Sequence, residues 1–197
     1  MKKLLLVIFL LSTFGITYAQ EEYPSKFKYT QTEEFKKYEG IIWRINDFIV
    51  TPREGTAKEL YNQVLANIKD IYNNPSEVIT AQTEGEFIKI SGVASKIYKQ
   101  NIIGTISYDD VNYNLEFYFR DGRTKVELSK LNYYIPPSQY SSGGYWEIKD
   151  IAATKKNGKA RARYKETAEL VSEHFNQSLI IHHFVLNGFL STISLIG

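Results

Sequence analysis

Cysteine is absent from this chain of 197 residues, and its absence removes several kinds of chemistry at once. Without thiols there is no disulfide framework, no thiolate metal site and no cysteine nucleophile. No cysteine is available to carry lipid at a mature N-terminus, so the chain is not expected to be a lipoprotein. The signature motifs G-x-S-x-G, G-x-x-x-x-G-K and H-E-x-x-H are also missing. We therefore expect no enzyme of a familiar type, no catalytic residues and no cofactor.

An excess of charge of one sign is lacking as well. The chain has 24 basic and 22 acidic residues, and two of the basic ones are Lys2 and Lys3. Without residues 1–19 the counts are 22 and 22 (24 minus 2 against 22), so the net charge is zero. Proteins that bind nucleic acid generally carry a clear positive excess to neutralise phosphates. We expect no nucleic-acid partner.

The first nineteen residues have the layout of a secretory signal peptide. Two lysines precede an apolar run from Leu4 to Leu11, and the segment ends in Thr17-Tyr18-Ala19. The apolar run is too short to span a bilayer comfortably. We predict cleavage after Ala19 and export to the periplasm or the cell exterior. The remaining 178 residues (197 minus 19) suit one domain with a hydrophobic core.

The mature chain is predicted to start with an extended lead-in over residues 20–40, followed by one α+β domain over residues 41–197. Alternating apolar residues predict a strand from Ile41 to Thr51. Thr56 and Glu59 have the spacing of a capping box, and a stripe of apolar residues at helical spacing follows until Pro75. This pattern predicts an amphipathic helix. Two further strands are predicted over residues 77–83 and 86–98.

A β-hairpin is the clearest local pattern. Apolar and polar residues alternate from Val111 to Phe119, and Asp121-Gly122 follows, a dipeptide typical of a tight two-residue turn. With this dipeptide as the loop, Phe117 lies opposite Val126, so both strands turn their apolar residues to the same face. Bulges are predicted at Gly92 and just after Leu128.

The rest of the chain is predicted to be a surface loop over residues 136–158 and a terminal helix over about residues 159–195. The order of elements is strand, helix, four strands, helix. It predicts an α+β fold with a single twisted antiparallel sheet of about five strands, and with two helices packed on one face of that sheet.

At two stretches the chain resembles a family of exported bacterial domains of unknown function with a fold like that of the TATA-box-binding protein. One stretch runs from Ile49 to Tyr61, and the other is the hairpin from Tyr113 to Arg123. The resemblance implies a TBP-like, helix-grip-like packing of helices on a sheet. It implies no DNA binding in a neutral, exported chain, and it brings no site residues with it.

Two groups of ionisable residues are candidates for a chemical site. His174 and His182 are eight residues apart, about 12 Å along a helix, which is too far for them to share one metal ion. No metal site is expected. Glu116 and Glu127 face each other in the predicted hairpin and could serve as an acid/base pair. A solvated face screened by Lys125 explains them better.

A basic cluster occupies the predicted start of the terminal helix and consists of Lys155, Lys156, Lys159, Arg161 and Arg163. It is either a solvated surface or a contact surface for anionic lipid headgroups, hence peripheral to a membrane, or for an acidic partner.

Two functional hypotheses follow. The first is a non-catalytic, exported cell-envelope module that binds, or serves as a scaffold for, an unknown envelope protein. The second is a carrier that holds a small apolar ligand between the sheet and the terminal helix. The ligand-binding residues of the carrier would be Phe117, Val126, Phe175, Leu179, His182 and Leu186. A hydrolase with an unfamiliar site is the remote third alternative.

Overall fold

The structure, a computed structural model, describes residues 23–32, 42–102, 105–139, 142–152 and 162–177. The predicted signal peptide lies outside these residues. Within the described ranges there are nine strands and three helices. In chain order they are β1 (Tyr29–Thr32), β2 (Ile42–Ile45), β3 (Phe48–Pro52), α1 (Ala57–Ile71), α2 (Pro75–Val78), β4 (Ile79–Thr83), β5 (Phe87–Ile102), β6 (Thr105–Arg120), β7 (Arg123–Ile135), β8 (Gly144–Glu147), β9 (Asp150–Ala152) and α3 (Ala162–Gln177).

A six-stranded antiparallel sheet forms the body of the protein. Its strand order is β3-β7-β6-β5-β4, and β8 pairs with the C-terminal part of β7 on the same side as β3. The predicted hairpin is confirmed, with Phe117 opposite Val126 around the Asp121-Gly122 turn. Because side chains alternate along each strand, this sheet has an inner face and an outer face.

The inner face carries the hydrophobic core. Eight of its side chains are at most 2 % exposed: Ile88, Ile90, Val111, Leu115, Phe117, Val126, Leu128 and Leu131. Helices α1 and α3 pack on this face. The Tyr113 ring lies 5.2 Å from the Phe175 ring of α3, and the Tyr113 hydroxyl lies 3.0 Å from the hydroxyl of Tyr72, which directly follows α1. The predicted α+β class, with an antiparallel sheet and two helices on one face, is confirmed.

The number of strands was underestimated. Besides the six-stranded sheet there is a second, three-stranded antiparallel sheet of order β1-β2-β9. The single strand predicted over residues 41–51 is wrong, because β2 and β3 belong to different sheets. The Asn46 side chain accepts a hydrogen bond from the Lys28 amide at 2.6 Å and donates one to the Phe48 carbonyl at 2.7 Å, which stabilises a corner between them.

The predicted loop over residues 136–158 contains β8 and β9 in its described part. Strands of three or four residues are too short to show a period, and they form here because β7 and β2 offer free edges to pair with. Likewise, the predicted lead-in contains β1, and Phe27 and Tyr29 are at most 4 % exposed. Both corrections come from pairing between residues that are distant in sequence.

Helix α1 begins as predicted. The Thr56 hydroxyl accepts a hydrogen bond from the Glu59 amide, and the Glu59 carboxylate accepts one from the Thr56 amide at 2.8 Å. The Asp121 carboxylate, from the hairpin turn, accepts a hydrogen bond from the Ala57 amide at 2.8 Å. An acidic group at this end of a helix also interacts favourably with the helix dipole. The turn of the hairpin and the start of α1 therefore stabilise each other.

The two predicted bulges have different outcomes. The bulge after Leu128 is confirmed, since Leu115 pairs with Leu128 while Asn114 pairs with Lys130. On β5 the irregularity lies between Ala94 and Tyr98 rather than at Gly92. Gly92 instead leaves room for Tyr113, because a Cβ atom there would lie 2.5 Å from the tyrosine hydroxyl oxygen.

Helix α3 lies within the predicted terminal helix, of which residues 159–161 and 178–195 fall outside the described residues. Ala168, Val171 and Phe175 of α3 are buried, as the helical spacing predicts. No helix in the described part of the chain is long and apolar enough to cross a membrane.

Candidate functional site

The outer face of the six-stranded sheet is rich in aromatic and charged side chains, whereas both long helices pack on the inner face. These outer side chains come from β3, β5, β6 and β7, and several of them are partly or fully exposed. They include Phe48, Val50, Phe87, Lys89, Glu116, Tyr118, Arg120, Arg123, Lys125 and Glu127. The face is therefore suited to contact with another molecule.

A groove of about 640 Å³ lies at one end of this face, beside the turn of the β6–β7 hairpin. Its walls come from the segment before β1, from β3, from the turn between β4 and β5, and from the β6–β7 hairpin. The lining residues are Tyr23, Phe48, Val50, Glu86, Tyr118, Phe119, Arg120, Arg123 and Lys125. Three of these are basic and one is acidic, so the groove is electropositive.

The aromatic rings of this region pack against one another and beneath an amino group. The ring centroids of Tyr118 and Phe87 are 5.0 Å apart, and those of Phe48 and Tyr23 are 6.3 Å apart. The Lys125 amino group lies 4.7 Å from the Phe48 ring centroid and 5.3 Å from that of Tyr118. Cation–π contacts of this kind hold the lysine over the rings. The wall of the groove is thus ordered before any ligand arrives.

Glu116 stands at the centre of a hydrogen-bond network on the outer face. Its carboxylate accepts hydrogen bonds from Tyr118 and Ser129, each at 2.7 Å, and pairs with Lys89 at 2.8 Å. Partial burial alone would raise the pKa of the Glu116 carboxyl, but these donors outweigh it and lower the pKa to about 2. The same hydrogen bond raises the pKa of the Tyr118 hydroxyl to about 12.

Glu116 and Glu127 occupy paired positions, as the hairpin register predicts. Glu127 pairs with Lys125 at 2.7 Å. A carboxyl that acts as a general acid near neutral pH needs a raised pKa, whereas Glu116 stays ionised. The pair is therefore better explained as part of a charged network that orders the outer face.

Two arginines border the groove next to the hairpin turn. Arg120 and Arg123 pair directly across the two strands, and both are exposed. Their side chains have no hydrogen-bond or ion-pair partner among the residues that the structure describes. Opposed side chains of like charge repel each other and destabilise a strand pair. The groove therefore contains two guanidinium groups that are free to bind an anion.

A second exposed patch lies where β7 meets β8, at the other end of β7. Tyr134, Tyr145 and Trp146 are 49 %, 65 % and 56 % exposed. The rings of the two tyrosines are 5.2 Å apart, and Lys130 lies over Tyr145.

The predicted ligand-binding residues of the carrier hypothesis are only partly described. Phe117, Val126 and Phe175 are at most 2 % exposed and belong to the inner core, on the side of the sheet opposite the groove. The other three, Leu179, His182 and Leu186, lie outside the described residues. The carrier hypothesis remains a prediction.

Most of the predicted basic contact cluster also falls outside the described residues. This applies to Lys155, Lys156, Lys159 and Arg161. Arg163 lies in α3, but its side chain is not described. The contact cluster therefore stays a prediction.

His174 is the one histidine within the described ranges, and it lies on α3. Burial lowers the pKa of its imidazole, and its ring meets that of Phe175 edge-on at 5.3 Å. These contacts fit a partly buried packing residue. Across residues 23–32, 42–102, 105–139, 142–152 and 162–177, no three His, Cys, Asp or Glu side chains come together as a metal site.

The groove was not predicted from the sequence. Its residues come from four separate segments, so no local pattern unites them. One signal was available, because Arg120 and Arg123 flank the predicted turn and must therefore face each other. Two opposed arginines at the end of a hairpin are unfavourable for stability, and this makes them candidates for binding.

Comparison with known proteins supports the fold. Among solved structures, the chain is similar to a DUF4468 family protein from Bacteroides ovatus, with a TM-score of 0.51 and 12 % identity over 75 % of this chain and 86 % of that one. It is also similar to a TBP-like protein from Parabacteroides distasonis, with a TM-score of 0.42 and 16 % identity over 80 % of this chain and 93 % of that one. No family model matches the sequence, and no curated protein matches it. The predicted resemblance to bacterial domains of unknown function is confirmed at the level of fold by the Bacteroides ovatus protein.

Proposed function

We propose that this protein is an exported, non-catalytic binding module that contacts a partner in the cell envelope through the outer face of its six-stranded sheet. Export is inferred from the signal-peptide layout of residues 1–19. A binding role is inferred from the outer face, because a shared fold does not define a function.

The observation that carries the proposal is the ordered groove beside the hairpin turn. It combines tyrosine, phenylalanine and arginine, which are residue types enriched at protein interfaces. The hydrogen bonds around Glu116 and the rings beneath Lys125 fix the wall of the groove. A surface ordered in advance loses less conformational freedom on binding.

The proposal is tested by crosslinking in the cells that produce the protein. A photoreactive phenylalanine analogue replaces Tyr118, which is 37 % exposed on the outer face. The matched control places the same analogue at Lys69, an exposed position on α1. We expect a discrete crosslinked species from position 118 and none from position 69. Equal crosslinking from both positions, or none from position 118, would contradict the proposal.

A further inference from the structure

The groove on the outer face has unbalanced charge. Of its three basic residues, Lys125 is already paired with Glu127 at 2.7 Å. Arg120 and Arg123 have no such partner among the described residues, and the one acidic lining residue, Glu86, forms no ion pair in that part of the chain. The nearby Asp121 carboxylate is engaged by the Ala57 amide at 2.8 Å. An anion entering the groove would therefore meet two guanidinium groups that are not engaged in an ion pair with a described residue.

The position of the arginines favours a ligand with carboxylates. A guanidinium presents a planar fork of donors that matches the two oxygens of a carboxylate. Arg120 and Arg123 pair across the strands immediately next to a two-residue turn, so the hairpin holds their backbones at a fixed separation. A negatively charged ligand between them would also relieve the repulsion within this pair.

The aromatic side chains of the groove argue against a carbohydrate ligand. A sugar ring stacks on the free face of an aromatic ring. One face of Phe48 is occupied by the Lys125 amino group at 4.7 Å, and Tyr23 packs against the same ring. Tyr118 lies between Lys125 and Phe87. These rings therefore offer an apolar wall for side chains.

A membrane surface fits less well than a protein. Recognition of anionic lipid by basic residues typically involves a cluster of about four to eight lysines and arginines. Among the residues that the structure describes, the groove has two cations without an ion-pair partner, and they lie beside aromatic side chains. Arginine and tyrosine are among the residue types enriched at the positions that contribute most binding energy at protein interfaces.

We infer that Arg120 and Arg123 form a clamp for the carboxylates of an acidic polypeptide segment, whose apolar side chains pack against Phe48, Val50 and Tyr118. This inference rests on the proposed function and specifies the chemistry of the partner. The clamp is the specificity element of the groove, and the aromatic wall supplies apolar contact.

The test uses a random copolymer of glutamate and tyrosine as the probe. Polygalacturonate, an anionic carbohydrate, is the comparison ligand, because it also carries carboxylates but is not a polypeptide. Binding to the purified mature protein is measured by fluorescence anisotropy. We expect the copolymer to bind more tightly than polygalacturonate, and its affinity to fall as salt is added. Equal or tighter binding of polygalacturonate would overturn the inference.

Three variants separate a clamp from general charge attraction. Arg120→Gln/Arg123→Gln is expected to lower affinity for the copolymer about tenfold or more. Arg120→Lys/Arg123→Lys keeps the charge but loses the forks, and we expect an affinity several-fold below that of the original protein. The control, Lys28→Gln/Lys69→Gln, removes two exposed charges outside the groove and is expected to leave affinity unchanged. Equal losses in the control and the arginine-to-glutamine variant would overturn the inference.

The thermal unfolding temperature of each variant shows whether lost binding comes from a loss of stability. Because Arg120 and Arg123 repel each other, Arg120→Gln/Arg123→Gln is expected to unfold at the same or a higher temperature than the original protein. A lower unfolding temperature together with lost binding would assign the arginines a structural role and overturn the inference.

Crosslinking from position 118 separates this inference from the proposed function. A lower yield of the crosslinked species in cells when Arg120→Gln/Arg123→Gln is introduced supports the clamp. Crosslinking that persists at the same level in that variant overturns the clamp and leaves the proposed function standing. If no crosslink forms from position 118 in the protein that keeps both arginines, the proposed function fails, and the inference fails with it.

Discussion

Glu116 illustrates how a single carboxylate orders the outer face. Its three donors, Lys89, Tyr118 and Ser129, come from three different strands, so the carboxylate links β5, β6 and β7 on the side away from the core. The side chain of Glu116 is only 13 % exposed despite its position on this face. Stability and the shape of the candidate site therefore depend on the same group.

Replacing Glu116 is expected to have a pH-dependent cost. The pKa of its carboxyl is about 2 in the folded protein against an ordinary value of 4.5. The ionised form thus contributes stability that is fully present above pH 4.5 and is lost as the pH falls towards 2. We expect Glu116→Gln to lower the free energy of unfolding by about 1–2 kcal/mol at pH 7 and by much less at pH 3. Urea denaturation at both pH values measures this difference.

The control for this prediction is Glu173→Gln, which alters an exposed glutamate on α3. It is expected to change stability little at either pH. A cost of Glu116→Gln that stays constant, or grows, between pH 7 and pH 3 would contradict the assigned role of the carboxylate.

Gly92 is required by a side chain on the neighbouring strand. A Cβ atom there would lie 2.5 Å from the hydroxyl oxygen of Tyr113, and the ring cannot move away easily because Tyr72 and Phe175 hold it. We expect Gly92→Ala to lower the free energy of unfolding by about 1–3 kcal/mol. Chemical denaturation gives the value.

A double-mutant cycle checks the cause of the Gly92 effect. Tyr113→Leu removes the atoms with which the new methyl group would collide. The cost of Gly92→Ala should therefore be smaller in that background than in the original protein. Purely additive costs would mean that the glycine serves another purpose.

At the scale of elements, helix α1 depends on capping groups from two places. Thr56 and Glu59 form the capping box within the chain segment itself, and Asp121 reaches the same end of the helix from the hairpin turn. The hairpin and the helix are therefore coupled at the point where the groove is also formed.

Loss of the Thr56 hydroxyl tests this arrangement. We expect Thr56→Ala to lower the free energy of unfolding by about 1 kcal/mol, because the Glu59 amide loses its acceptor. Gln63→Ala, at an exposed position in the middle of α1, is the control and should change stability by only a few tenths of a kcal/mol. Equal effects of the two substitutions, measured by denaturation, would contradict a capping role.

Elements specified by local sequence were predictable, and elements that depend on distant partners were not. Helix α1 has its capping box and apolar stripe within about fifteen residues, and the β6–β7 hairpin has its turn dipeptide between two alternating strands. In contrast, β1, β8 and β9 are three or four residues long and form only because an edge is available elsewhere.

The candidate site follows the same rule. The groove joins Tyr23, Phe48 and Glu86 to the hairpin. Because these residues are far apart in sequence, no local pattern predicts that they lie close together. The network around Glu116 could be predicted only as far as its register with Glu127. The ion pair with Lys89 depends on the pairing of β5 with β6, which the sequence did not reveal.

At the scale of the whole molecule, the prediction with the widest consequences is export. We expect the protein recovered from the medium or the periplasm to begin at Gln20 and to contain 178 residues (197 minus 19), as measured by intact mass spectrometry. Ala19→Glu, which places a charged residue at the cleavage site, should leave the leader attached. Recovery of the original protein with residues 1–19 still present would contradict the prediction.

The two-sided sheet has a consequence for how proteins of this shape diverge. From Val111 to Arg120 in β6, and on either side of the bulge in β7, buried residues that maintain the interior alternate with residues that are available for contact. Selection can therefore change the outward-facing residues while the buried residues maintain the fold. Two proteins of similar fold and 12 % identity, such as this one and the Bacteroides ovatus protein, can thus differ widely at their outward-facing positions.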